Sequence, residues 1–369
     1  MNRKDRRAAG KQNKGLGPAG GSSSILRSWG PPGVPPQSAS ANLFAAAARH
    51  MGAGQLADAE RFCREALTLD PSHGDSLHML GIIACQAGRH AAGVELLGRA
   101  LAVNGRSAEC HFNLAHALRT LGRLDDAATH FNQATVLKRD FTAAHLGLGD
   151  LLMQQGRTEE ARMRYERALV LEPRSVDAHY GLANVAMQEG RLDEAATGYR
   201  RVLALKPDYA EACSNLGLVL ASQGKLDEAA AQYRRAIALK PQLVDVYRNL
   251  GRVVLAQGDA AGALAIARAA LNVAETEETK AFYVQCARAL TTVAPDGDLR
   301  HMIARALAEG WSRPSEISGL AANLFKLTDA GRVAVARVAA IWPARLLASE
   351  LWPADELAAN GKTKNRRCR

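Results

Sequence analysis

The stretch GRLDEAATGYRRVLALKPDY at residues 190–209 returns 34 residues later as GKLDEAAAQYRRAIALKPQL at residues 224–243. The same spacing relates three rows of residues: Gly156, Gly190, Gly224 and Gly258; Tyr165, Tyr199 and Tyr233; and Pro173, Pro207 and Pro241. A fixed period of this length is typical of a solenoid, in which each unit buries its apolar face only against its neighbours. We therefore predict one long core shared by stacked repeats. Such a chain usually binds other molecules rather than transforming them.

Each repeat is predicted to form a hairpin of two antiparallel helices. The segment VDAHYGLANVAMQEG, residues 176–190, carries apolar residues at the 3.6-residue spacing of a helix. Gly190 supplies the left-handed residue that commonly closes a helix. Asp193 follows as an acceptor for the free amide groups at the start of the second helix. Pro207 then ends the repeat, because proline cannot easily continue a helix.

The recurring residues resemble the pattern of the tetratricopeptide repeat family, which has aromatic, Leu-Gly, Gly, Ala, aromatic, Ala and Pro positions at fixed spacing. In residues 210–243 the pattern is carried by Cys213, Leu216, Gly217, Gly224, Ala229, Tyr233, Ala236 and Pro241. The resemblance covers residues 40–277, with repeats starting near 40, 74, 108, 142, 176, 210 and 244. In three repeats the proline is replaced, by Gly105, Arg139 and Glu275. The resemblance implies an all-α fold, a right-handed α-solenoid of about seven tetratricopeptide hairpins.

The regions outside the repeats differ in composition. Residues 1–39 form a basic tail rich in Gly, Ser and Pro, a composition typical of disorder. Residues 278–328 carry helical patterns and are predicted to be a helical cap or linker that covers the open end of the stack. Residues 329–369 are an apolar segment followed by a basic tail, and we expect them to be poorly ordered.

The net charge of +10 is concentrated at the two ends of the chain. Residues 1–40 carry +6 and residues 360–369 carry +5, which leaves the region between them close to neutral. Short basic segments can contact nucleic acid. No aromatic residues are interleaved with these basic ones, which argues against stacking on a single strand. We therefore expect a protein or peptide partner, and we assign any nucleic-acid contact to the tails alone.

The sequence also predicts a compartment. It has no secretory signal, and Arg337 and Arg345 interrupt the most apolar stretch, VAVARVAAIWPARLLA, so no membrane span is predicted. The six cysteines contain no CxxC pair, so neither a zinc site nor a redox motif is indicated. We expect a cytoplasmic protein whose cysteines are small core residues.

No catalytic motif is found in the chain. It lacks HExxH, GxxxxGK[ST], GxSxG and a GxGxxG that follows a strand. Acidic pairs such as Asp193 and Glu194 recur at helix starts, where capping explains them. His111, His145 and His179 recur 34 residues apart, but equivalent residues in stacked repeats form a row rather than a metal cage. We therefore expect no enzyme activity, no cofactor and no metal ion.

The predicted functional surface is a concave groove lined by the first helix of each repeat. The resemblance implies that an Asn before the Leu-Gly pair holds peptide backbone there, as in the repeat region of O-GlcNAc transferase. In this chain that place is occupied by Asn113, Asn215 and Asn249 and is interrupted by Gly147 and Gly181. An amide has donors and an acceptor, so it can pair with an extended backbone of any sequence.

Three further residues are predicted to face the same groove. Asn184 lies three residues beyond Gly181, nearly one helical turn on. Arg248 and Arg252 lie four residues apart, beside Asn249, and therefore share a helix face. These arginines could pair with a carboxylate on a bound peptide.

The leading functional prediction is a protein-interaction scaffold that binds an extended peptide or a helix in this groove. A second resemblance keeps an alternative open. The segments LRHMIARALAEGWSRP, LAANLFKL and MNRKDRRAA are similar to bacterial proteins that join such repeats to an S-adenosylmethionine-dependent methyltransferase domain. The alternative is therefore a substrate-recruiting arm of a methyltransferase or an O-GlcNAc-type glycosyltransferase whose catalytic domain is absent from this chain.

Overall fold

In the computed structural model, the described residues are 38–290 and 297–312, and every regular element among them is an α-helix. The sixteen described helices are α1 Ala39–Gly52, α2 Leu56–Leu69, α3 Gly74–Gln86, α4 His90–Val103, α5 Ala108–Thr120, α6 Leu124–Leu137, α7 Thr142–Gln154, α8 Thr158–Leu171, α9 Val176–Gln188, α10 Leu192–Leu205, α11 Ala210–Ser222, α12 Leu226–Leu239, α13 Val244–Ala256, α14 Ala260–Val273, α15 Glu277–Arg288 and α16 Gly297–Glu309. Helices α1 to α14 form seven pairs of a first and a second helix, as the 34-residue period predicts.

The chain divides into two compact units, residues 1–201 and 202–369. In the first unit, each first helix packs against its own second helix, and each second helix packs against the first helix of the next repeat. Neighbouring first helices, α3 with α5, α5 with α7 and α7 with α9, also touch. The second unit repeats this order from α11 to α15. The predicted all-α solenoid of tetratricopeptide hairpins is confirmed.

The predicted end regions lie mostly outside the described residues. Of the tail at 1–39, only Ser38 and Ala39 are described, where the Ser38 hydroxyl accepts from the amide of Ala41 and caps α1. Of the cap or linker at 278–328, helix α15 and residues 297–312 are described. Residues 329–369 lie outside the described residues. The boundaries and the expected disorder of these regions stay predictions.

Glycine closes each first helix, as predicted. Gly190 has a φ of +80°, in the left-handed region that favours glycine. The prediction for Asp193 is wrong, because α10 begins at Leu192, so the carboxylate lies in the first helical turn rather than at the cap. The same holds for Asp227 in α12, whose N-cap is Lys225 without a side-chain cap. An acidic residue in the first turn still suits the positive end of the helix.

Glycines in the first helices allow aromatic rings of the second helices to approach closely. The Tyr165 ring of α8 lies between Gly149 of α7 and Gly181 of α9. A Cβ atom added at Gly181 would lie 2.5 Å from ring atom Cε1, and one added at Gly149 would lie 2.7 Å from the same atom. Tyr233 packs in the same way against Gly217. This confirms the prediction that small residues mark close helix contacts.

Helix α15 covers the last hairpin of the second unit. It packs against α14 and α13, and its Phe282 is 3% exposed and lies directly against Gly251. Trp311 follows α16 and packs edge-on against Tyr283 of α15. Glu275, which replaces the proline of the repeat, accepts from Arg305 of α16 at 2.6 Å. The last repeat is therefore joined to the helices that follow it by apolar packing and an ion pair.

Among the described residues, no helix combines the length and the apolar character needed to cross a membrane. The described cysteines are free thiols in or beside the core. Burial raises the pKa of the Cys63 and Cys286 thiols to about 12, so both remain protonated near neutral pH. They act as small core residues, as predicted.

Candidate functional site

The six predicted groove residues all lie on first helices. By helix they are Asn113 on α5, Asn184 on α9, Asn215 on α11, and Arg248, Asn249 and Arg252 on α13. Arg252 is exposed and the other five are partly buried. The first two belong to the first unit and the other four to the second.

Asn113 connects two neighbouring first helices. Its Nδ2 donates to Nε2 of His78 on α3 at 2.8 Å, and its Oδ1 has no hydrogen-bond partner among the described residues. His78 is 6% exposed, and burial lowers its pKa to about 4, so its imidazole is neutral near pH 7. The neutral ring can accept from Asn113, which leaves the Asn113 carbonyl oxygen for a bound molecule.

Asn184 holds a tyrosine of its own repeat. The hydroxyl of Tyr199 on α10 donates to Oδ1 of Asn184 at 2.6 Å. One repeat earlier, Tyr165 donates in the same way to Oδ1 of Asp150 at 2.8 Å. Asp150 therefore takes the place of Asn184 in its repeat, and sequence reasoning missed it as a groove candidate. The available signal was its distance of 34 residues from Asn184.

Asp150 is the acidic member of this row. Burial raises its pKa, while the Tyr165 hydroxyl and Arg119 act in the opposite direction. Nη1 of Arg119, on α5, lies 3.9 Å from Oδ2 of Asp150 on α7, a distance at which the ion pair is weak. A carboxylate held against its desolvation cost by one hydroxyl can accept a further donor.

His116 occupies the same place one repeat before Asp150. Its Nδ1 accepts from Nη2 of Arg119 at 3.4 Å, and burial together with that guanidinium lowers the His116 pKa to about 3. Its ring packs edge-on against Phe131. Sequence reasoning missed both His116 and Arg119. The first unit therefore presents a row of partly buried polar side chains on three neighbouring first helices, with a neutral imidazole, a carboxylate and an amide in order.

In the second unit, Arg248 already has an acidic partner. Its Nη2 donates to Oδ1 of Asp245 on the same helix at 2.6 Å, so a peptide carboxylate would have to compete with Asp245. The pair is largely exposed, and such pairs contribute about 0–1 kcal/mol. Arg252, one turn further on, is exposed. The predicted role of these residues in peptide binding stays a prediction.

The three periodic histidines hold turns rather than a metal ion. Nε2 of His111, His145 and His179 lies 3.2, 3.4 and 3.1 Å from the backbone carbonyl oxygen six residues earlier, of Gly105, Arg139 and Pro173 respectively. Each ring thus fastens the turn that enters its own repeat. Over residues 38–290 and 297–312, no cluster of His, Cys, Asp and Glu has the arrangement of a metal site.

The acidic residues at the helix starts also have structural partners. Oδ1 of Asp125 accepts from Gln155 at 3.1 Å, and Oδ1 of Asp227 accepts from Gln257 at 2.6 Å. Each bond joins the first turn of a second helix to the end of the next first helix. These carboxylates therefore connect neighbouring repeats, which explains their recurrence without catalysis.

The comparisons with known proteins agree with this geometry. A model described as tetratricopeptide repeat matches residues 78–145 and 146–210, and a model described as TPR repeat matches residues 217–258. Comparison with curated proteins gives no match.

Two solved structures show the same fold. A tetratricopeptide repeat protein from Parabacteroides merdae ATCC 43184 is 19% identical, with a TM-score of 0.54, over 67% of this chain and 98% of that one. PilF of Pseudomonas aeruginosa is also 19% identical, with a TM-score of 0.50, over 55% of this chain and 92% of that one. Helical hairpins at a 34-residue period, the glycine turns and both repeat models agree: this chain is a tetratricopeptide repeat protein.

Proposed function

We propose that this chain is an interaction scaffold whose first helices bind an extended peptide or a helix of a partner protein. Tetratricopeptide repeats generally mediate protein–protein interactions. The observation that carries the proposal is the row of partly buried polar groups on the first helices of the first unit, at His116, Asp150 and Asn184. These groups lie on helices that touch one another, so one ligand can contact several of them.

The spacing of the first helices suits an extended chain. Packed helices lie about 8–10 Å apart, and an extended chain rises about 3.3 Å per residue. A peptide that crosses the first helices therefore advances about three residues per repeat. Asn113 would then meet a different peptide group from Asp150, one repeat on. Because amide and carboxylate oxygens accept hydrogen bonds, the row suits backbone N–H groups and donor side chains of the partner.

Affinity capture with matched variants tests the proposal. The wild-type chain and a triple variant, Asn215→Ala, Arg248→Ala and Asn249→Ala, are used as baits, and the captured proteins are quantified by mass spectrometry. The control, Arg234→Ala, removes an exposed charge from the second helix α12. We expect partners that the triple variant loses and the control retains. If all three baits capture the same partners equally, the first helices are not the binding surface.

The transferase-arm alternative is tested separately. Helix α16 contains most of the segment that is similar to a methyltransferase linker, but LAANLFKL lies outside the described residues. Titration calorimetry with S-adenosylmethionine and with a nucleotide sugar distinguishes the two proposals. Saturable binding of either donor would favour the alternative, whereas the scaffold proposal expects none. The cytoplasmic location and the absence of enzyme activity remain predictions.

A further inference from the structure

A recess of about 250 Å³ opens beside the second helices of the third and fourth repeats, α6 and α8. It is lined by Asn132, Thr135, Val136, Arg139, His145, Arg164 and Arg167. All of these residues belong to the first unit. The recess is formed mainly by second helices and is therefore separate from the row of polar groups on the first helices.

The lining is strongly basic. It contains three arginines and no carboxylate. Within the described part of the chain, Arg139, Arg164 and Arg167 make no ion pair. Nη2 of Arg164 donates only a long bond, 3.5 Å, to Oδ1 of Asn132. Three unneutralised guanidinium groups around one recess attract an anion, because each repels the others while the site is empty.

His145 adds an unpartnered polar atom to the lining. Its side chain is only 5% exposed, and its Nε2 lies 3.4 Å from the carbonyl oxygen of Arg139. A carbonyl only accepts, so Nε2 carries the hydrogen and Nδ1 carries a lone pair. That Nδ1 is buried and has no hydrogen-bond partner, which is rare in folded proteins and calls for an explanation. Burial, Arg164 and Arg167 lower the pKa of His145, so a bound anion would favour the imidazolium and turn Nδ1 into a donor.

The charge set occurs at this one boundary between repeats. Arg139 replaces the proline of the repeat pattern, which the next repeat retains as Pro173. The residues equivalent to Arg164 in the neighbouring repeats are His130 and Gly198. Packing of the solenoid therefore does not require these arginines, since the adjacent repeats form the same hairpin without them.

We propose that this recess binds the phosphate group of a phosphorylated side chain on a partner protein. Phosphate carries a charge near −2 and three strong acceptor oxygens, and arginine presents donors in a planar fork that matches them. The recess is smaller than the about 300–1,000 Å³ of sites for drug-sized ligands, which suits a single phosphoryl group.

The surroundings favour a protein over nucleic acid as the source of the phosphate. Val136 lines the recess, and Val170, its equivalent one repeat on, is 70% exposed. Exposed apolar side chains beside a charged recess suit the apolar residues that flank a phosphorylated position. Nucleic acid would instead require a stripe of basic residues that neutralises several phosphates.

The first test uses inorganic phosphate as the probe at constant ionic strength. Binding is followed by the NMR signals of the His145 ring in the full chain. We expect a saturable shift of these signals in the wild type, and an affinity at least about tenfold lower in the double variant Arg164→Ala, Arg167→Ala, because two charge-assisted hydrogen bonds are lost. The control Arg99→Ala removes an exposed arginine of α4 and should bind phosphate like the wild type.

Arg139→Pro is a second variant that keeps the fold. The backbone of Lys138, at φ −133° and ψ 94°, closely matches that of Glu172, at φ −137° and ψ 86°, which precedes Pro173. Proline therefore fits at position 139. This variant should weaken phosphate binding while leaving the helical content unchanged. An unchanged His145 signal on addition of phosphate, or equal affinities in the wild type and both recess variants, would overturn the proposal.

The second test identifies the source of the phosphate. The full chain is applied to immobilised degenerate peptides with a central phosphoserine, to the same peptides with serine, and to a single-stranded DNA oligonucleotide. We expect retention by the phosphorylated peptides alone, release by inorganic phosphate, and loss of retention in the double arginine variant. Equal retention by both peptide sets, or stronger retention by the oligonucleotide that the double variant also loses, would contradict the assignment to a phosphorylated protein.

Discussion

The close contact around Tyr165 gives the sharpest stability prediction. We consider the substitution Gly181→Ala, whose new methyl group would lie 2.5, 2.6 and 2.8 Å from three atoms of the Tyr165 ring. The ring cannot retreat, because Gly149 packs against its Cε1 from another helix. The hydroxyl is also fixed, since it donates to Asp150 at 2.8 Å.

The magnitude follows from two opposing effects. Overpacking a filled core costs about 1–3 kcal/mol, and the upper end applies here because the ring is held by neighbours in three directions. Replacing a helical glycine by alanine returns about 1 kcal/mol. We therefore expect Gly181→Ala to lower the free energy of unfolding by about 2 kcal/mol.

The matched control is Gly98→Ala in α4. Gly98 is exposed and helical, and a Cβ atom added there meets no atom within 4 Å. Only the helix-propensity gain remains, so this variant should be about 1 kcal/mol more stable than the wild type. The two glycine variants should thus differ by about 3 kcal/mol with opposite signs.

Urea denaturation followed by far-UV circular dichroism measures these differences. Repeats in a solenoid can unfold separately, so amide hydrogen exchange of α8 and α9 locates the effect of Gly181→Ala. If Gly181→Ala is as stable as the wild type, or is stabilised like Gly98→Ala, the inference that Tyr165 is trapped between two glycines is refuted.

Three further predictions concern pH, a turn and the terminal cap. His78 has a folded pKa of about 4 against an ordinary 6.5, so between these values only the unfolded chain binds the proton; stability should fall by roughly 3 kcal/mol from pH 6.5 to pH 4, and His78→Gln should flatten urea midpoints measured across this range. Gly105→Pro should raise the free energy of unfolding by about 0.4–1 kcal/mol, because Asn104, at φ −135° and ψ 87°, suits a following proline; a lower urea midpoint would contradict this. Phe282→Ala should cost about 3–5 kcal/mol, because Phe282 is 3% exposed, and hydrogen exchange of α13 and α15 should rise while that of α3 is unchanged.

Periodic features were the most predictable part of this chain. Gly190 and Pro207 recur in phase with equivalent residues, so turn positions and repeat boundaries could be derived without coordinates. Asp193 shows where this reasoning fails. Its preference for a helix start is real, but the helix begins one residue earlier, because Leu192 already follows the left-handed glycine by one position and enters the helical turn.

The site was harder to predict because its residues are defined by contacts between repeats. Asn113 was a candidate by resemblance, but the sequence alone does not show that His78 accepts from it. Asp150 was read as an unremarked helix residue, although it holds Tyr165 as Asn184 holds Tyr199. The basic recess was also out of reach, since it joins Arg139 from a turn with Arg164 of the next second helix.

Site-specific photo-crosslinking tests the central claim most directly, that the first helices carry the binding surface. A photoreactive amino acid is placed in cells at Arg252 on the first helix α13 or at Arg234 on the second helix α12. Both arginines are exposed and belong to consecutive repeats of one unit. We predict protein adducts from position 252 that are absent from position 234. Adducts from position 234 alone, or the same adducts from both positions, would contradict the account.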